Sequence, residues 1–252
     1  MTTTTGGRPL AVVTGASSAI GQQLAHRCAR DRFDLVAVAD TPGLEEVAEL
    51  CRGEGAEVEA IYADLANPED IDRLCTAIGE RAVAVLVVNA GRCLGGAFLD
   101  QSIGEMQYVI DANITGTLDL VQRIGRRMVA DGGGRILLTG SIAGVAPERP
   151  QAVYDGTRAY IDSFAYALRR ELAATGVTVT CLVPRAPRGE FAVRSGAEDE
   201  DDPAQAAEVG FDAMMRGEKQ IVAGVKNKIQ AAFFGAVYSP LAPQPEEEEQ
   251  RS

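Results

Sequence analysis

The sequence predicts a single doubly wound α/β domain, and three observations carry that expectation. Short aliphatic runs alternate with stretches at helical spacing along most of the chain. The run Val83–Val88 is almost purely aliphatic, as a strand covered on both faces of a parallel sheet must be. The first run passes through a turn of small residues, Thr14 to Gly21, directly into a helix. At 252 residues the chain suits one large α/β domain better than two small ones and can bury a sizeable core.

Taken in order, Leu10–Val13 reads as the first strand and Ile20–Ala29 as the first helix, with Ile20, Leu24 and Cys28 along one face. Leu35–Ala39 is the second strand, followed by a helix through Leu44, Val47, Ala48 and Cys51. Val58–Tyr62 and Val83–Val88 are the third and fourth strands, separated by a helix over Pro68–Ile78. Two helical stretches come next, near Ile103–Ile110 and Ala112–Met128. Strand Arg135–Thr139, a long helix near Gln151–Ala174 and strand Val177–Val183 continue the alternation. This order implies βαβ units with right-handed crossovers and a mostly parallel sheet of about seven strands.

After Pro184 the alternation weakens. The segment Arg185–Pro203 carries an acid run, Glu198 to Asp202, and reads as a mobile loop. Ala204–Met215 is expected to be helical, Gln220–Val222 an edge strand, and Lys226–Tyr238 a closing helix with Ile229, Phe233 and Val237 on its apolar side. The domain is therefore expected to span residues 8–240, with disordered tails over 1–7 and 243–252.

Composition excludes several classes. A net charge of −12 argues against a protein that tracks nucleic-acid phosphates. No apolar run is long enough to span a bilayer, and MTTTTGGRP lacks the apolar stretch of a secretory signal, so a cytoplasmic location is expected. The five cysteines are scattered, odd in number and without CxxC spacing, which suits reduced thiols rather than disulfides or a metal site. One histidine, His26, rules out a two-histidine metal site and is a poor hydrolase base. Proton chemistry must then fall to Tyr, Lys, Asp or Glu.

The turn Thr14 to Gly21 leaves a buried strand and enters a helix, so free backbone N–H groups and the positive helix end face a bound anion. Gly15 allows the sharp turn and Gly21 allows close packing of helix on sheet. Asp40 closes the second strand, where a carboxylate would accept hydrogen bonds from both hydroxyls of an adenosine ribose and repel a 2′-phosphate. NAD is thereby favoured over NADP.

Together with these, further landmarks make the chain resemble the short-chain dehydrogenase/reductase family over about residues 8 to 240. They are TGASSAIG, Ala63-Asp64-Leu65, Asn89-Ala90-Gly91, Asn113, Ser141 in GSIAG, and Tyr154 with Arg158 in YDGTR. The resemblance implies a Rossmann domain and a site assigned as follows. Gly15, Ser17, Ser18, Ile20 and Gly21 would line the pyrophosphate, and Asp40 the adenosine ribose. Asp64 and Leu65 would flank the adenine, and Asn89, Ala90 and Gly91 the nicotinamide ribose, with Pro184 also on the cofactor. Ser141 would hydrogen-bond the substrate carbonyl, Tyr154 would give or take its proton, Arg158 would hold ribose and lower the Tyr154 pKa, and Asn113 would anchor a water. Tyr154 and Arg158, four residues apart, share a helix face with about 5–6 Å between Cβ atoms. Neutral phenol has a pKa near 10, so a neighbouring cation is needed to make it a base.

Four positions depart from the family pattern: Ala19 for the middle glycine of the turn, Val88 for the first Asn of Asn-Asn-Ala-Gly, Arg185 for a glycine, and Arg158 for the lysine of YxxxK. Arginine keeps the charge and can fork onto ribose hydroxyls, but it cannot release a proton. The expected activity is hydride transfer between NAD, or less favourably NADP, and the carbonyl or secondary alcohol of a small, mainly apolar substrate, chosen by loops Arg92–Asp100 and Arg185–Pro203. Leu94, Phe98, Leu99 and Phe191 give those loops their apolar character. The alternatives are a catalytically impaired binding or assembly protein, or an isomerase or lyase using the same site. The family also implies a homodimer or homotetramer through the helices near 112–128 and 151–174.

Overall fold

A computed structural model of the chain describes residues 7–144, 149–184, 186–187 and 200–223. The expected closing helix Lys226–Tyr238, the tail from Pro243, residues 1–6 and most of the loop Arg185–Pro203, Phe191 included, lie outside the described residues.

Within them the elements alternate as β1 (Leu10–Thr14), α1 (Ala19–Arg30), β2 (Asp34–Ala39), α2 (Leu44–Gly53), β3 (Val58–Tyr62), α3 (Pro68–Ile78) and β4 (Val83–Val88). There follow α4 (Ile103–Ile110), α5 (Gly116–Ala130), β5 (Gly134–Thr139), α6 (Ala152–Glu171) and β6 (Val177–Val183). The chain continues through the two-residue strands β7 (Ala186–Pro187) and β8 (Glu200–Asp201), which pair with each other, then α7 (Pro203–Met215) and β9 (Gln220–Val222).

Seven parallel strands form one sheet in the order β3-β2-β1-β4-β5-β6-β9. Strand order reverses between β1 and β4, and it is there, outside the carboxyl ends of the strands, that doubly wound sheets open a crevice for ligands. The alternate residues of β1 explain the two-sided core. Val12 faces a layer containing Leu74, Leu120, Ile124 and Ile161 from α3, α5 and α6. Val13 and Ala11 face the layer of Leu24, Leu44 and Phe211 from α1, α2 and α7. The fold is thus a single Rossmann-like α/β domain.

Helix starts follow local chemistry. Ser18 caps α1 by accepting the Gly21 amide at 3.1 Å. Asn67 caps α3 ahead of Pro68, and Ser102 with Glu105 forms a capping box on α4. Both helical stretches expected near Ile103–Ile110 and Ala112–Met128 are present, as α4 and α5, and the detail the sequence did not show is how they join. A π-helical turn over Asp111–Thr115 joins α4 to α5, so the pair runs on as one rod with an expanded turn at Asn113.

Candidate active site

A cleft of about 690 Å³ opens at the carboxyl ends of the central strands, within the size range of small-ligand sites. Of the sequence-predicted site residues, all except Gly21 and Asn113 line it. Those two lie just behind its wall and shape it.

The turn after β1 is held in four ways. Gly15 adopts φ +64°, a left-handed conformation that costs a side-chain-bearing residue, and a Cβ there would lie 2.8 Å from the Ala90 backbone. A Cβ on Gly21 would sit 1.9 Å from the Gly15 carbonyl oxygen, so the helix can approach the turn only through glycine. Asn89 then staples the turn to the sheet: its Nδ2 donates to the Gly15 carbonyl at 3.2 Å and to Ser18 Oγ at 3.0 Å, while its Oδ1 accepts from Thr139 Oγ1 at 3.3 Å. Thr14 Oγ1, fully buried, accepts the amides of Asn89 and Ala90, each at 3.2 Å. Asn89 therefore acts on the architecture of the turn. Ala19 is the first residue of α1 and lines the cleft. The shape suits a dinucleotide: a glycine-built turn, a capped helix N-terminus aimed across it, and a Cβ-free approach at Gly15 and Gly91.

At the β2 end the picture differs from the expected lone carboxylate. Asp40 is ion-paired with Arg92, which follows the Asn89-Ala90-Gly91 segment. The Arg92 guanidinium lies 5.6 Å from the centroid of the Tyr108 ring, and the Tyr108 hydroxyl donates to Asp64 Oδ2 at 2.5 Å. Burial and the hydrogen bond to Asp64 both push the Tyr108 phenol up, against the opposing pull of Arg92.

Asn113 sits in the π-helical turn at 1% exposure, and its side chain is fully engaged. Its Oδ1 accepts the Arg92 amide at 2.7 Å, and its Nδ2 donates to the Arg92 carbonyl and to Thr157 Oγ1, both at 2.9 Å. A water anchored by this residue would have to use its main chain, where the expanded turn leaves helix hydrogen bonding out of step.

Ser141, Tyr154 and Arg158 converge at the β5 end, all buried. Ser141 Oγ accepts the Ala143 amide at 3.2 Å, which fixes the hydroxyl at the start of the loop after β5. Burial pushes the Tyr154 phenol up; Arg158 and hydrogen bonds from Arg158 and Ser141 pull it down, and Cys93 adds to the rise. The expectation that Arg158 lowers this pKa holds for its own contribution, but burial outweighs it and the net direction is upward. Arg158 donates from Nη1 to the Thr139 carbonyl at 3.0 Å. The Nη2 end of its head packs against Gly91, where a Cβ would fall 1.8 Å from that nitrogen. That glycine supplies the room the larger guanidinium needs. Buried Nε of Arg158 has no hydrogen-bond partner among the described residues.

Sequence reasoning missed Asp162, one turn beyond Arg158 on the same buried face of α6. It is 2% exposed, accepts from Cys181 Sγ at 3.3 Å, and would overlap any side chain at Gly140. Burial drives its carboxyl up to about 7 against the opposing influence of Cys181, Arg158 and the Ser141 amide. The available signal was its spacing, a carboxylate four residues after an arginine. Away from the cleft, His26 pairs with Glu54 Oε1 at 2.8 Å; none of the five cysteines forms a disulfide. Among the described residues no cluster of His, Cys, Asp or Glu could hold a metal ion, and no helix is long and apolar enough to cross a membrane.

The chain is similar to known proteins in sequence and in fold. The sequence model described as short chain dehydrogenase matches residues 9–199. Oxidoreductase UcpA of Escherichia coli strain K12 is 31% identical over 196 residues, covering 75% of this chain and 74% of its own. A short-chain dehydrogenase from Sphingobium yanoikuyae, solved in complex with NADPH, superposes with a TM-score of 0.85 at 29% identity, over 95% of this chain and 98% of the other. The bulky-bulky ketone specific alcohol dehydrogenase from Comamonas testosteroni gives 0.83 at 25% identity, over 95% and 96%.

Proposed function

The chain belongs to the short-chain dehydrogenase family, and from that premise we propose that it is a nicotinamide-dependent oxidoreductase interconverting a ketone and a secondary alcohol. One observation carries the reading: Ser141, Tyr154 and Arg158 meet at one end of the same cleft whose middle is the glycine-built turn. When bound there, the nicotinamide dinucleotide supplies or takes the hydride. Gly15, Ser17, Ser18, Ile20 and Gly21 would hold its pyrophosphate, Asp64 and Leu65 its adenine, and Ala90, Gly91 and Pro184 its nicotinamide half.

The protein's own part is proton handling and orientation. Ser141 donates a hydrogen bond to the substrate oxygen, and Tyr154 delivers a proton to that oxygen in reduction or removes it in oxidation. Arg158 stands where the family has lysine. It stabilises the phenolate by charge, and its guanidinium lines the cleft where a ribose hydroxyl would sit. Because guanidinium does not release protons, the proton leaves through hydroxyl groups and water rather than through residue 158. Phe98 and Leu99, both exposed within the segment Arg92–Asp100, favour a small, mainly apolar substrate. Asp40 supports NAD as the favoured form, while the similar short-chain dehydrogenase from Sphingobium yanoikuyae is solved with NADPH.

A cytoplasmic homodimer or homotetramer accompanies this reading, with α5 and α6 as contact helices. Tyr160, exposed on α6 and stacked on Phe164 at 6.1 Å, gives that helix an outward aromatic pair that supports it.

The deciding test is turnover of a ketone and alcohol panel with NADH, NADPH and their oxidised forms, comparing wild type with Tyr154→Phe. Loss of about 100-fold or more in kcat is expected, the usual scale of one general acid–base group. Turnover indifferent to the change would remove Tyr154 from its role.

A further inference from the structure

Asp40 and Arg92 reach each other across the mouth of the switch-point crevice. Asp40 follows β2 and Arg92 follows β4, 52 residues apart in sequence, yet their side chains form an ion pair in which each is 28% exposed. Two constraints aim the guanidinium there. The Arg92 backbone is clamped on both sides by Asn113, through its amide at 2.7 Å and its carbonyl at 2.9 Å. Its side chain is then laid against the face of Tyr108, itself tied to Asp64. Arg92 and Arg158 are the two cations among the described residues that line the cleft, and Arg158 is committed beside Tyr154 at the far end. Beside Asp40 stand two hydroxyls, Ser17 Oγ and Thr41 Oγ1, 2.7 Å apart.

A bare carboxylate at this position accepts from ribose hydroxyls and repels a phosphate monoester. A carboxylate already paired with a partly exposed guanidinium does neither in full. Half-exposed ion pairs contribute little stability, so the pair opens at small cost when a better partner arrives. Guanidinium forks match phosphate oxygens in two parallel hydrogen bonds, and hydroxyls of Ser17 and Thr41 add donors.

We propose that Arg92 is a specificity-determining residue of the cofactor cleft, the counter-charge for a phosphate monoester on the adenosine ribose, so that both NAD and NADP are accepted. With a ribose 2′-hydroxyl, Asp40 accepts the hydrogen bond and Arg92 stays on its carboxylate. With a 2′-phosphate, the fork serves the phosphate and screens it from Asp40. This rests on the nicotinamide reading above and refines the preference that Asp40 alone would impose.

The test is calorimetric titration of the wild type, Arg92→Met and Asp40→Asn with NADH and with NADPH at one pH and fixed ionic strength. Wild type is expected to bind the two within about 10-fold of each other, Arg92→Met to lose about 10-fold or more for NADPH with little change for NADH, and Asp40→Asn to gain for NADPH. Binding of NADPH should also weaken more steeply with salt in wild type than in Arg92→Met. Equal effects of Arg92→Met on both cofactors, or none on either, overturn the proposal. Should that variant fail to fold, Arg92→Lys, which keeps the charge and loses the fork, must still weaken NADPH more than NADH, and Asp40→Asn must still move the ratio; the same ratio throughout overturns it. Failure of the wild type to bind either form overturns the nicotinamide reading itself, and Arg92 with it.

Discussion

Arg158 stands one helical turn beyond Tyr154 on α6, and its guanidinium carbon lies 5.1 Å from the centroid of the Tyr154 ring. The phenol there is under two opposed influences, burial raising its pKa and the guanidinium lowering it, with burial ahead. Alcohol oxidation needs the phenolate, so its rate rises with pH toward an alkaline limb. Arg158→Met removes the lowering influence alone and is expected to move that limb to higher pH, while Arg158→Lys, which restores a charge, brings it back. A kcat profile against pH for the three proteins checks this. An unmoved limb would show that Arg158 does not act on the phenol electrostatically.

Gly91 is where this arginine obtains its space. A Cβ there would fall 1.8 Å from Nη2 and 2.9 Å from Cζ, and the head cannot retreat freely because Nη1 is bonded to the Thr139 carbonyl. Gly91→Ala is therefore expected to displace Arg158, reproduce the pH profile of Arg158→Met, and destabilise the fold by about 1–3 kcal/mol through overpacking. Thermal unfolding alongside the pH profile separates the two effects. Normal pH dependence in a stable Gly91→Ala protein would refute the packing account.

The turn after β1 makes a sharper demand, because the obstacle is main chain. Gly21→Ala would bring a methyl 1.9 Å from the Gly15 carbonyl oxygen, which no side-chain rotation can relieve. Opening the turn also strains the contacts of Asn89 with Gly15 and Ser18. Dinucleotide affinity should fall by about 10-fold or more, with a lowered Tm. Full affinity in this variant would mean that the turn does not hold the pyrophosphate.

How far the sequence reached depends on what each residue's neighbours are. Strands β1, β2, β4, β5 and β6 were legible because largely buried aliphatic runs leave a local trace, and the turn was legible because its glycines and caps act within eight residues. Tyr154 with Arg158, and Ser141 at the strand end, were legible from spacing on one element. The Asp40–Arg92 pair was not, since it joins the ends of β2 and β4, which flank β1 and approach each other only once the sheet has formed. Local periodicity separated the two helical stretches at Asp111, where the π-turn begins and shifts the hydrophobic register by one residue. For Asn113 itself the sequence indicated importance but not its partners: the side chain turns inward to clamp Arg92 and Thr157.

Asp162 gives the last prediction. Its carboxyl, raised by burial to about 7 from an ordinary value of 3.8, faces Arg158 on its own helix, Cys181 on β6 and the Ser141 amide after β5. Raised in the fold, the group binds its proton more tightly there than in the unfolded chain. Its contribution to stability is thus complete below about pH 4 and is lost as pH rises through about 7. Each pH unit within that window is worth up to about 1.4 kcal/mol, so between pH 5 and pH 8 the loss is on the order of 2 kcal/mol. Asp162→Asn keeps the shape and a hydrogen-bonding group but cannot ionise, so its denaturant midpoint should vary less than that of wild type across this range. Parallel urea unfolding at pH 5, 6.5 and 8 measures the difference. Identical pH dependence in the two proteins would mean that Asp162 ionises in the fold as easily as in the open chain, with Arg158 rather than burial in command of its charge.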